Sequence, residues 1–309
     1  MNHPWYVIAN PTAGKGMVRK RWPALQQRIA GVLPVGEFAL SEYKGHAIEL
    51  AQQAVEKGYR KILAVGGDGT NHEVANGIMM QQALPSREVT YALLPIGTGN
   101  DWIKTHGLPR PMDKALDVIR AGKTAFQDIG LIHYHKDGKP LQRYFLNVAG
   151  LAYDGYIGKK SEERRYATRN KLFYLMLVVS CLFEYELRRA IVEGGGRRIE
   201  GRFYTINLGI CRYSGGGMQL APHAIPDDGQ FAVTTAGALS RAGVLLNTYR
   251  FYNGTIASHP KVEAFYAKSL EVKAAEGEPP TLLEADGEFL GETPARFSIL
   301  PSALRFIIP

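Results

Sequence analysis

The sequence predicts a two-part protein: an α/β domain built on a parallel sheet with helices on both faces, followed by a mainly antiparallel β domain. Three observations predict it. Up to about residue 125, short and nearly continuous apolar runs alternate with amphipathic helical stretches, which is how strands covered on both faces read. After about Asp128 the pattern changes to period-two runs separated by turn residues, as in antiparallel hairpins. A chain of 309 residues is also long enough for two domains with ordinary apolar cores.

WYVIAN (Trp5 to Asn10) is the first strand, ended by Asn-Pro. The helix expected after it carries Val18, Trp22, Leu25 and Ile29 on one face. FALSEY leads into HAIELAQQAVEK, where Ala47, Leu50, Ala51, Ala54 and Val55 form the stripe of a helix packed on a sheet. Gly58 is placed to stop it. KILAV (Lys61 to Val65) is the next strand, followed by a Gly-rich turn, helical signal through Ile78 and the strand YALLPI (Tyr91 to Ile96). In DKALDVIRAG, Asp113 is expected to cap a short helix and Gly122 to close it. The boundary falls near residue 130. Beyond it LIHYH, KDGK and LQRYFLNVAG read as one hairpin and LRRAIVEGGGRRIEGRFYTINLGI as another; helical signal returns only around Asn170 to Glu186 and Arg241 to Tyr252.

Hydrophobic residues at 45% and charged residues at 21% exclude a disordered, collagen-like or heptad coiled-coil chain. The 34 glycines exceed the usual share, so the chain has many tight turns or many places where backbone approaches a ligand. A net charge of +8 favours anionic partners. The segment KKSEERRYATRNK (Lys159 to Lys171) sets six cations against two acids directly before the apolar run LFYLMLVVSCLF. That order suits a face meeting anionic headgroups, and equally a solvated helix. Twelve apolar residues are too few to span a bilayer. Cys181 and Cys211 form no CxxC pair, and the N-terminal stretch has no secretory pattern, so a cytoplasmic protein is expected.

The sharpest local feature is AVGGDGTNHE (Ala64 to Glu73). An apolar strand runs into Gly66, Gly67, Asp68 and Gly69, then Thr70 and a helix start, an arrangement in which backbone N–H groups can face a phosphate. Asp68 among those glycines suits contact with a divalent cation bridging phosphates, or a hydrogen bond to a ligand hydroxyl. LPIGTGNDW (Leu94 to Trp102) repeats the strand-to-glycine pattern and offers Thr98, Asn100 and Asp101. Neither GxxxxGK[ST] nor GxGxxG fits, which argues against a P-loop ATPase and an ordinary dehydrogenase. Loops at the carboxyl ends of parallel strands share one crevice, so NPTAGKG, GGDGT and IGTGND are expected to wall a nucleotide cleft.

VGGDGT, PIGTGNDW and NPTAGKG together resemble the diacylglycerol kinase catalytic-domain family, of the bacterial soluble lipid kinase type. GGGMQLAPHAIPDDG (Gly215 to Gly229) and EADGEFLG (Glu284 to Gly291) extend the resemblance into the second domain. It implies a phosphofructokinase and NAD kinase-like parallel sheet over residues 1–130, a β-rich lipid-substrate domain over 131–294, and a last stretch, 295–309, that packs back on the first domain. It also implies ATP- and Mg²⁺-dependent phosphorylation of a lipid hydroxyl in a cleft between domains. Asn10, Ser41, Gly66, Gly67, Asp68, Gly69, Thr70, Asn71, His72, Glu73 and Thr98 would contact the nucleotide. Asp68 and Asp128 would join Glu288, the proton acceptor, in catalysis. Asp228 with the carbonyls of Ile225 and Gln230 would hold a supporting Mg²⁺. His72 departs from the apolar residue usual in the loop, and His46 from an acid usual after Lys-Gly.

The expected partners are a lipid alcohol and an anionic membrane surface, touched peripherally from the cytoplasm; a homodimer is compatible with the sequence. A nucleotide or sugar kinase of the same superfamily, such as an NAD kinase, is the nearest alternative, disfavoured by IGTGND and by the lack of a PTGSTAY-like segment. A non-catalytic nucleic-acid binder fits the charge but has no RNP, recognition-helix or OB signature, so no nucleic-acid partner is expected.

Overall fold

The structure, a computed structural model, describes residues 3–97, 99–163 and 171–309, with backbone only for 171–175. Thr98 and much of the basic segment after Lys159 lie outside the described residues. The chain divides into two units, Met1–Ile129 with Pro301–Pro309, and Gly130–Leu300.

The first unit holds a parallel sheet of β1 (Trp5–Ala9), β2 (Val35–Leu40), β3 (Lys61–Gly66) and β4 (Thr90–Pro95) in the order β2-β1-β3-β4. Arg305 and Phe306 of the chain's final strand pair in parallel with Thr90 and Tyr91 beside β4. Five helices accompany the sheet: α1 (Ala13–Ala30), α2 (His46–Glu56), α3 (Asp68–Met80), α4 (Asp101–His106) and α5 (Met112–Ala121). One face of the sheet, with Val7, Ala9, Leu63, Val65 and Leu94, packs against Val18, Leu25 and Ile29 of α1 and Leu116 and Ile119 of α5. On α2, all five residues of the expected stripe are buried. Strand ends are level, since Ala9 is opposite both Leu40 and Val65, and Gly66 is opposite Pro95. The loops that follow therefore start from one edge.

Gly14, Lys15 and Gly16 have φ of 59°, 59° and 81°, so NPTAGKG enters α1 through a left-handed turn. Two local expectations need correction. Asp113 does not cap α5; it lies in the first turn, paired with Arg28, after Pro111. The six-residue α4 was not expected at all, because its start overlaps the glycine-rich loop. Its Trp102 and His106 pack against Phe306, with ring centroids 5.2 and 4.5 Å apart.

The second unit is antiparallel. β5 (Thr124–Lys136) enters it from the first unit and pairs with β6 (Lys139–Phe145). β7 (Val148–Ala152) leads into α6 (Tyr153–Glu163), a helix not read from the sequence, and α7 (Lys171–Glu184) follows. Then come β8 (Arg188–Gly194), β9 (Arg197–Gly209) and the short pair β10 (Tyr213–Ser214) and β11 (Met218–Gln219). β12 (Phe231–Gly237), α8 (Arg241–Asn247), α9 (Tyr249–Asn253), β13 (Val262–Ala267), β14 (Ser269–Ala274), β15 (Leu282–Ala285) and β16 (Glu288–Ile307) complete the chain. β7, β9, β8, β14, β16 and β15 pair in a closed circuit, and β12 and β13 extend it from β9. Its core is filled by residues such as Phe145, Ile206, Leu208, Phe231, Leu283 and Phe297. Asp137-Gly138, Gly195-Gly196 and Asp286-Gly287 all have positive φ at both positions, the two-residue turn that matches strand twist. Among the described residues no helix is long and apolar enough to cross a membrane.

α3 crosses α2 at Gly77, where a Cβ would stand 2.4 Å from the Ile48 carbonyl oxygen and 2.6 Å from the Ala51 Cβ. Gly77→Ala is expected to force these helices apart and to lower unfolding free energy by about 1–3 kcal/mol in urea titration.

Candidate active site

On the carboxyl edge of the first unit's sheet, Asn10, Ser41 and Ile96 directly follow β1, β2 and β4, Gly66 ends β3, and backbone hydrogen bonds tie these positions to neighbouring strands. Asn10 N donates to Val65 O at 3.0 Å, Ser41 N to Ala9 O at 3.0 Å, and Ile96 N to Gly66 O at 2.7 Å. Glycine lets the β3 and β4 loops touch. A Cβ on Gly97 would lie 2.6 Å from the Gly67 Cα, and one on Gly99 would lie 2.7 Å from an Asp68 carboxylate oxygen.

Asp68 Oδ1 accepts the Asp101 backbone N–H at 2.8 Å, so the β3 loop caps α4. Burial, then the nearby Asp101 carboxylate, push the Asp68 pKa up to about 6, against the lowering effect of N–H groups from Asp101, Asn100 and Trp102. Asp101 is itself buried and paired with Lys104 at 2.5 Å. Two such carboxylates side by side are the donor chemistry a hard divalent cation takes. Gln127 anchors α4 from below, its Oε1 accepting from Trp102 Nε1 at 2.8 Å and lying 2.8 Å from His106 Nε2.

Three helices follow β2, β3 and β4, and their N-termini differ. α2 is capped by Glu73, whose carboxylate accepts from Gly45 N at 2.9 Å and Ala47 N at 3.3 Å. α4 is capped by Asp68. The start of α3 has no side-chain cap, and a Cβ built on its Gly69 meets nothing within 4 Å. The open end of α3 is thus the position among the three left for an external anion.

The residues expected to contact nucleotide divide accordingly. Asn10 Oδ1 is held by Thr12, through N at 2.9 Å and Oγ1 at 2.8 Å, and Ser41 is buried at the end of β2. Gly66, Gly67, Asp68, Gly69 and Thr70 form the loop and first turn of α3, with Thr70 Oγ1 buried and lacking a hydrogen-bond partner. Asn71, His72 and Glu73 turn their side chains elsewhere: Asn71 Oδ1 accepts from Tyr91 Oη at 2.5 Å, His72 is fully buried beside Asn76, and Glu73 caps α2. Asp128 is buried, with Oδ1 accepting from Ser302 N at 2.7 Å, and so secures the returning end of the chain.

In the second unit, Asp286 and Gly287 form the turn between β15 and β16, with Ala285 opposite Glu288. Asp286 fixes it by accepting N–H groups from Leu146, Asn147 and Val148 at 3.0, 2.9 and 3.2 Å. Glu288 thus opens a strand from a rigid turn. Asp228 precedes β12, with Oδ1 accepting from Gln230 N at 3.0 Å, and Ile225 is exposed. One carboxylate beside backbone carbonyls fits a hard cation completed by water. Among the described residues no cluster of three or more His, Cys, Asp or Glu is placed to hold a metal.

A cavity of about 330 Å³ in this unit, unforeseen from sequence, is walled by Ile157, Val178, Leu182, Leu220, Val244 and Phe251. Its polar lining includes Asp154, Thr205, Glu284 and Gly287, beside Ser161, Ser214 and Thr248. Thr205 Oγ1 donates to Asp154, and Gly287 N donates to Glu284 Oε2 at 2.8 Å. Burial raises the Asp154 pKa to about 6, while burial and the Asp154 charge raise that of Glu284 well above its usual range. Their sequence separation of 130 positions concealed this pairing. The clue available was AYDGYIG, an acid inside an apolar stretch.

A glycine-loop parallel sheet carried with an antiparallel β unit is the architecture of the phosphofructokinase and NAD kinase type. The diacylglycerol kinase catalytic domain model matches residues 4–132, and the YegS C-terminal NAD kinase beta sandwich-like domain model matches residues 148–308. The chain belongs to the diacylglycerol kinase family. A diacylglycerol kinase of Staphylococcus carnosus is 28% identical, over 98% of this chain and 94% of that protein. One from Mycobacterium tuberculosis is 27% identical over 98% of this chain and 94% of its own length. The crystal structure of a diacylglycerol kinase from Bacillus anthracis superposes with a TM-score of 0.73 at 21% identity, covering 99% of this chain and 97% of that one.

Asp154 lines the cavity. With its folded pKa near 6 against about 3.9 unfolded, the native state keeps a proton that the unfolded chain releases between those values. Its contribution therefore falls as pH rises from about 4 to 6, and the full cost, at most about 3 kcal/mol, persists above 6. Asp154→Asn is expected to raise the melting temperature at pH 7.5 and to flatten its decline between pH 4 and 6, measured by thermal unfolding across pH.

Proposed function

We propose that the chain is an ATP-dependent lipid kinase that transfers the γ-phosphate to a lipid hydroxyl. The observation that carries this reading is the α3 N-terminus, left without a side-chain cap and facing open space between two helices that carboxylates already cap. A triphosphate would place its negative charge there, against backbone N–H groups of the Gly67–Thr70 turn. Asn10, Ser41 and Thr98 would contact the rest of the nucleotide. Asp68 and Asp101 would hold Mg²⁺, which when bound neutralises charge on the phosphates. Asp128 supports the catalytic loops from the returning chain end.

Glu288 is assigned as general base. It takes the proton of the lipid hydroxyl as that oxygen attacks the γ-phosphorus, the bond from γ-phosphorus to the β,γ-bridging oxygen breaks, and ADP leaves. Asp228, with Ile225 and Gln230 carbonyls, would bind a second cation that stiffens the second unit. The apolar cavity suits an acyl chain, and the name diacylglycerol kinase borne by the relatives supports a lipid acceptor.

The protein would work at an anionic membrane surface from the cytoplasm, where buried Cys181 and Cys211 remain reduced. Leu245 both lines the cavity and is exposed, and Leu246, Tyr249 and Tyr252 expose further apolar surface on α8 and α9.

ATP labelled at the γ-position should transfer label to a lipid alcohol and not to NAD. Glu288→Gln should lower kcat about 10²–10⁴-fold with little change in ATP affinity, whereas Asp68→Asn should also weaken ATP binding; wild-type turnover in Glu288→Gln removes the assignment of the base. Leu246→Ser should reduce sedimentation with anionic vesicles while leaving ATP binding intact.

A further inference from the structure

The inference here rests on the lipid kinase reading and concerns the acidic lining of the cavity. Among the described residues no lysine, arginine or histidine lines the cavity, yet two acids do. They were brought together at some cost: Gly150 is bare where a Cβ would stand 2.7 Å from Glu284 Oε1 and 2.7 Å from the Asp154 Cβ, and 3.2 Å from Asn207 Oδ1. Asn207 is fully buried, gives its Nδ2 to Thr205 Oγ1 at 2.9 Å, and leaves Oδ1 without a hydrogen-bond partner. Among the described residues the cluster therefore presents acceptor oxygens, one of them unsatisfied, and no cationic group. Gly287 also lines the cavity and is bonded to Glu284, so this acidic lining is one residue from Glu288.

We infer that Asp154 and Glu284 act as a charge filter on the acceptor lipid, admitting a head that offers only hydroxyl or ammonium groups and rejecting one that carries a phosphodiester. A hydroxyl or ammonium group can donate to the carboxylate and amide oxygens of this lining. A phosphodiester about 6 Å from one ionised carboxylate, at an effective dielectric near 20, is disfavoured on the order of 100-fold. The apolar walls admit the chains of either lipid alike, so discrimination falls on the acids rather than on cavity size.

The test uses the full chain with dioctanoylglycerol, a long-chain amino alcohol and dioctanoyl phosphatidylglycerol, measuring kcat, KM and calorimetric Kd for each. The wild type should favour the first two over phosphatidylglycerol by at least about 30-fold, mainly in KM and Kd. In the isosteric double variant Asp154→Asn/Glu284→Gln, with folding checked by its melting temperature, that preference should shrink by about 10-fold as phosphatidylglycerol binding tightens. If the wild type binds phosphatidylglycerol as well as the uncharged lipid, or the preference survives in the folded double variant or in either single variant alike, the filter is refuted. If no lipid receives phosphate, the kinase reading falls instead, and the Kd comparison still decides the filter.

Discussion

The hydrogen bond from the Asp101 backbone N–H to the Asp68 carboxylate organises the first unit's loop edge. It joins the loop after β3 to the helix after β4 and satisfies a donor that α4 would otherwise leave open. The bond needs both loops nearly in contact, and this explains why Gly67, Gly97 and Gly99 have no side chains at their approach. It also commits one carboxylate to capping and leaves α3 uncapped. An anion site here is consequently defined by subtraction: two helix ends are occupied by the protein's own acids, and the third is not.

Much of the architecture was legible because local patterns and packing agree. The α2 stripe predicted five buried residues from spacing alone, and all five are buried, because the helix turns that one face to α3 and β1. Asp-Gly at 137–138 and 286–287 read as tight turns because both φ angles must be positive, a demand few residue pairs meet. α4 was missed because six residues are too few for periodicity, and its stability comes from Gln127, Phe306 and Asp68, all distant in sequence.

Site residues were legible in proportion to how local their duties are. The backbone role of Gly66 to Thr70 follows from the motif, but a motif does not tell which way side chains point. Asn71, His72 and Glu73 continue the same string, yet helical geometry turns them toward Tyr91, Asn76 and α2. Asp154 and Glu284 were beyond reach for the opposite reason: AYDGYIG marks Asp154 only as an acid in an apolar stretch, and the meaning of the pair arises when β7, α6 and β15 bring them to one cavity. Keeping two acids there opposes stability, which is how sites selected for chemistry differ from sites selected for packing.

The return of Pro301–Pro309 to the first unit has a consequence for biosynthesis. Residues 305 and 306 complete the hydrogen bonding of β4, and Phe306 supports Trp102 and His106 beneath α4. On the ribosome, a nascent chain that has emerged only as far as Leu300 carries the whole antiparallel unit but an unfinished parallel one, with β4 exposed as a bare edge. The first unit begins translation early yet matures late, after the whole antiparallel unit has been made, although its sequence comes first.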